Sequence, residues 1–119
     1  MASVFTTVGK QWVVDKMRNA IVTDAKYIAW GTGAGIADIG DTTLFTEATE
    51  TRVVGVVTSP SAAVYQTVGT IVANGGKTIT NAGVFDATTV GVLVLKGDHA
   101  GIPLLAGDSV EYTFQLQVT

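Results

Sequence analysis

The chain has 119 residues, enough for one domain on the usual scale of roughly 100–200 residues. Charged residues make up 14% and hydrophobic ones 47%, where about 25% charged is typical, so much of the surface should be covered by a partner. Ten acids against seven bases leave no basic stripe for a row of phosphates, and with no cysteine there is no disulfide frame, thiolate nucleophile or cysteine metal site. Val and Thr occur 18 times each and Gly 14 times against two Pro, which favours short strands and turns.

At the start, Met1 to Thr7 lacks the charged start and apolar core of a secretory signal, and no apolar run approaches the roughly 18 residues of a membrane span. Residues 1–8 read as an N-terminal arm suited to strand addition, ahead of a single β-domain over 9–119. Between Lys10 and Ile21 the spacing of Trp12, Val13, Met17, Ala20 and Ile21 predicts a short amphipathic helix. Tyr27-Ile28-Ala29-Trp30 reads as a strand that runs into a glycine loop, Gly31-Thr32-Gly33-Ala34-Gly35. Asp41 is placed to cap a short helix over Thr42–Glu47 that packs Leu44 and Phe45 inward.

After Arg52 the pattern is β throughout. Val53–Val57 predicts a strand and Ser59-Pro60-Ser61 a break. Val64–Ala73 and Lys77–Phe85, separated by Asn74-Gly75-Gly76, predict a hairpin. Asp86 to Gly91 is the next turn, Gly91–Leu95 a strand buried on both faces, and Gly97–Gly101 a loop carrying Asp98 and His99. Val110, Tyr112, Phe114, Leu116 and Val118 alternate with polar residues in a last strand of period two. Six or seven strands with helix confined to the first half describe a mainly β protein, an antiparallel, jelly-roll-like β-sandwich with a short N-terminal helix.

The residues offer no catalytic constellation. Gly31–Gly35 fails the dinucleotide pattern at Ile36, and no Lys-Ser/Thr follows as a phosphate loop requires. His99 is the only histidine, so any triad must pass through it, and a polar loop or interface contact explains it better. Asp38, Asp41, Asp86, Asp98 and Asp108 border turns, where Asp bonds its own backbone. Glu47 and Glu50 have the spacing of a solvated face. No cofactor or metal is expected, and the chain is read as a non-enzyme. Aromatic residues including Trp12, Trp30 and Tyr65 leave a sugar-binding surface as an alternative, with core packing the stronger explanation.

Four stretches carry a resemblance: Tyr27–Gly33, Gly40–Glu47, Lys77-Thr78-Ile79-Thr80-Asn81-Ala82-Gly83-Val84-Phe85-Asp86-Ala87, and Leu105-Ala106-Gly107-Asp108-Ser109-Val110, with Thr78–Ala87 and the lead Leu104–Val110 into the last strand the most specific part. Over roughly residues 27–119 the chain resembles small structural proteins of tailed bacteriophages, and among these a capsid decoration, or cement, protein. The resemblance implies a protein made in the host bacterial cytoplasm and placed on the capsid exterior of the virion. Its implied partners are the major capsid protein lattice and copies of itself as a dimer or trimer, without direct contact to nucleic acid or membrane. A tail, baseplate or fibre-associated protein, or a carbohydrate-binding attachment module, is the alternative. Hydrophobicity and position select Val4, Phe5, Trp12, Trp30 and His99 as interface residues.

Overall fold

The computed structural model describes residues 3–118. Helix α1 (Thr7–Met17) begins where the Thr6 side-chain oxygen accepts the Gly9 N–H at 2.9 Å, satisfying one of the amides that a helix start leaves free. It starts three residues before the predicted helix and ends earlier. Asn19 turns into the left-handed region (φ 58°) and its N–H closes onto the Lys16 carbonyl, which stops the helix before Ala20 and Ile21. Gly9 is required inside α1, because a Cβ there would lie 2.5 Å from the Val94 carbonyl oxygen.

The fold is mainly β, with every strand pair antiparallel. Strands β1 (Ser3–Phe5), β2 (Tyr27–Gly31), β3 (Val53–Val54), β6 (Lys77–Phe85) and β7 (Leu93–Leu104) form a five-stranded sheet in the order β1-β7-β6-β2-β3. Strands β4 (Val56–Thr58), β5 (Val64–Val72) and β8 (Ser109–Gln117) form a three-stranded sheet in the order β4-β5-β8. Pairing is nested: β6 joins β7 as a hairpin, and β5 joins β8 around it. The two sheets share one core, with Ile28, Trp30, Ile79, Val84 and Leu95 from the wider sheet meeting Ile71 and the half-buried Val110, Tyr112, Phe114 and Leu116 from the narrower.

The chain changes sheets at Gly55, between β3 and β4. Its N–H donates to the Lys26 carbonyl at 2.7 Å, and an added Cβ would stand 2.1 Å from Thr67 Oγ1. The predicted hairpin of residues 64–73 with 77–85 is not formed, since its two strands lie in different sheets. Neither Gly75 nor Gly76 takes the positive φ of a primed turn, and Asn74–Gly76 instead carries the chain across the core. Residues 42–47 form no helix either. The Asp41 carboxylate does not cap one; it accepts the Asp38 N–H (2.9 Å) and the Lys96 ammonium (2.9 Å), and Leu44 is buried as expected from an irregular segment.

Gly31 and Gly33 let that segment approach the preceding loop. Thr32 and Gly33 donate to the carbonyls of Thr46 (3.0 Å) and Phe45 (2.9 Å), and a Cβ at Gly31 would meet the Phe45 carbonyl at 2.4 Å. The Gly97–Gly101 stretch is strand rather than loop, so Asp98 and His99 stand inside β7. Glu47 and Glu50 are not a solvated pair. Glu47 takes both arms of the buried Arg52 at 2.9 Å, whose guanidinium covers the Phe85 ring, while Glu50 accepts from Lys77 and from Trp30 Nε1 (2.9 Å).

Candidate functional site

Joined at β3 and β4, the two sheets part at their other margin, where β1 ends one sheet and β8 ends the other. Strand β1 lies on its own sheet, with Val4 opposite Lys96 and Phe5 opposite Leu95, and residues 7 and 8 of the expected arm open α1. Met1, Ala2 and Thr119 lie outside the described residues. A cleft of about 180 Å³ remains between β1 and β8, with Val4, Phe5 and Leu95 on one wall and Phe114 and Leu116 on the other. The five-stranded sheet is wider by two strands, each about 4.8 Å across.

Further along the margin, His99 on β7 and Tyr112 on β8 bridge the two sheets. His99 Nδ1 lies 2.8 Å from the Ala100 carbonyl, which can only accept, so Nδ1 carries a proton. In the neutral ring Nε2 then accepts from the Tyr112 hydroxyl at 2.9 Å. Burial pushes the Tyr112 phenol up, so it remains a donor. With Tyr112 stacked on Phe114 (centroids 6.1 Å apart), the arrangement is a latch between sheets. The hydrogen bonds of His99 run to a backbone carbonyl and a phenol, with no carboxylate orienting its ring. Among the described residues, no group of three or more His, Asp or Glu could hold a metal ion.

Lys96 borders the same cleft with its ammonium turned away from solvent. Nζ donates to Asp41 and to the Thr43 carbonyl, both at 2.9 Å, and covers the Phe45 ring 3.3 Å from its centroid. Burial works against the ionised Asp41, yet the Lys96 hydrogen bond, the Asp38 amide and the Lys96 charge together hold its carboxyl below the usual value. This bolt fixes the loop before β3 onto β7 and keeps the cleft wall in place.

A second groove, about 490 Å³, opens between Trp12, Ala25, Val57 and Tyr65, and shares Val57 and Tyr65 with a shallower depression that reaches Ala63 and Val118. Trp12 Nε1 donates to Thr23 Oγ1 (3.2 Å), and Tyr65 donates to the Ala25 carbonyl. Burial, with the Asp24 charge, pushes the Tyr65 phenol up. Val54, Val56 and Val57 are all exposed beside this groove.

Of the five residues selected from sequence, Val4 and Phe5 line the cleft at the open margin, His99 bridges the sheets further along it, and Trp12 lines the second groove. Trp30 does not belong with them. It is 1% exposed in the middle of the core, its indole N–H satisfied by Glu50, so it is not an interface residue of this fold. The sequence reading missed Tyr112, Phe114 and Leu116 as margin residues, because period-two alternation looks the same on a central and an edge strand. With Trp30 and Phe85 buried, the aromatic rings are not displayed as one sugar platform. No helix among the described residues is long and apolar enough to cross a membrane. Comparison with protein-family models, with curated proteins and with solved structures finds no match for this chain.

Proposed function

We propose that the chain is a structural protein of a tailed-phage virion, a capsid decoration protein that binds between major capsid proteins on the outside of the expanded shell. In this reading the facing sheets are a jelly-roll-like β-sandwich left open at one margin. The observation that carries it is the surface. A chain with 14% charged residues keeps a free nine-residue strand edge, an apolar cleft and an apolar groove for partners to cover. Buried apolar area contributes roughly 25 cal/mol per Å², so one modest contact repeated over a shell sums to a large resistance to separation.

The mechanism is mechanical linkage. A protein that binds the assembled lattice and not its separated subunits stabilises the lattice as any state-selective ligand does. The test is the molar ratio of this chain to the major capsid protein in purified virions, by quantitative mass spectrometry. A ratio near one, or another fixed high fraction, supports a lattice-wide cement. A ratio of a few per cent reassigns the chain to the tail or an attachment organelle, and absence from virions overturns the structural role.

A further inference from the structure

Strand β8 is the longest free edge among the described residues. On its outer side β7 has no strand partner beyond Gly97, but that stretch carries Pro103 and an irregular register with β6. The other outer strands are short, with three residues in β1, two in β3 and three in β4, and short edges template little pairing. By contrast β8 runs nine residues in unbroken register with β5, from Val64↔Gln117 to Val72↔Ser109, without bulge, proline or lysine. Among the described residues no strand pairs with its outer side, and of the devices that usually block edge-to-edge addition it carries only the single charge of Glu111.

The residue order of β8 says what fits that edge. In a two-fold antiparallel pair, opposite residues point to the same side, so each register is set by the residue on the axis. An axis at Thr113 overlaps all nine residues. It sets Val110 opposite Leu116 and Tyr112 opposite Phe114 on the core-facing row, so the apolar row continues across the junction. On the outer row Ser109 meets Gln117 and Glu111 meets Gln115. Glu111 is the only charged residue of the strand. Gln115 Nε2 already donates to Gln66 Oε1 at 2.6 Å and has a second N–H for the opposing carboxylate. An axis at Glu111 would set two carboxylates face to face and leave only five residues overlapping, so charge and overlap select the same register.

We infer that a second copy of this chain docks along β8, in the antiparallel register centred on Thr113, to give a two-fold dimer with a continuous six-stranded sheet β4-β5-β8-β8-β5-β4. This dimer stands on the edge strand itself and is independent of any place in a virion.

Sedimentation velocity of the full chain tests it. Wild type sediments as a dimer, while Thr113→Lys and Thr113→Glu, at an exposed position, each sediment as folded monomers because two like charges meet on the axis. Mixing the two variants in equal amounts restores the dimer mass. Thr113→Cys, in a chain with no other cysteine, forms an intermolecular disulfide under mild oxidation, since directly opposed residues lie within disulfide reach. That cross-link decides the matter if the charged variants fail to fold. A monomeric wild type, a different oligomer, a dimer that Thr113→Lys leaves intact, or a Thr113→Cys dimer that does not cross-link would each overturn the inference.

Discussion

Three donors converge on the Glu50 carboxylate: the Lys77 ammonium, the Trp30 indole N–H at 2.9 Å and the Asn74 amide at 3.0 Å. Burial alone would raise its pKa, but the donors outweigh it and bring the carboxyl to about 2, from 4.5 when unperturbed. A carboxyl lowered on folding stabilises the native state fully above its unfolded value, and that contribution disappears as pH falls from about 4.5 towards 2. The melting temperature of the wild type therefore declines across this window. Glu50→Gln keeps the shape but not the charge, and leaves Lys77, whose side chain is 12% exposed, without its counter-ion. It should cost about 1–3 kcal/mol at neutral pH and flatten the decline between pH 4.5 and 2. Equal acid slopes in the two proteins would refute the assignment. None of this is legible in the sequence. Glu47 and Glu50 look there like a solvated face, and the partners of Glu50 lie 20 to 27 residues away, brought to it only by folding.

Among the elements, β8 is legible because one face is covered and the other wet, and of the buried strand expected over Gly91–Leu95 the part from Leu93 is buried and opens β7. The errors come from turns. Asn74-Gly75-Gly76 has the composition of a primed hairpin turn, yet composition permits positive φ without demanding it. The Gly97–Gly101 stretch has loop composition, yet all of it is strand: Gly97 and Asp98 pair with Ala82 and Asn81, and His99–Gly101 span the irregularity before Ile102 meets Ile79. Gly55 was equally invisible, a glycine inside a valine run, although it is the corner at which the chain leaves one sheet for the other. Its side of the corner touches the buried Thr67, whose hydroxyl has no hydrogen-bond partner. Gly55→Ala should destabilise by about 1–3 kcal/mol through overpacking. Much of that loss should be absent when Thr67→Ala is already in place, because the nearest obstructing atom is gone. Additive losses in a denaturant-melt double-mutant cycle would show that the corner is strained for another reason.

At the scale of the whole molecule, the abundance of Val, Thr and Gly made a mainly β antiparallel protein legible, while the partition into sheets of five and three strands was not. The β6–β7 hairpin is local, β5 and β8 close around it, and β1 finds its partner only when Phe5 comes opposite Leu95, almost the length of the chain away. Closing a longer loop costs more chain entropy, so β1 has nothing to pair with until the hairpin stands. Phe5 nonetheless packs half-buried against the main core cluster, and Phe5→Ala should lower stability by about 2 kcal/mol, less than for a fully buried ring. If β1 docks after the rate-limiting step, stopped-flow kinetics place nearly all of that loss in faster unfolding and leave the folding rate within about twofold of wild type. A folding rate that falls in proportion to the lost stability would put β1 in the nucleus, and the margin between β1 and β8 would then be an early feature of the fold rather than its last closure.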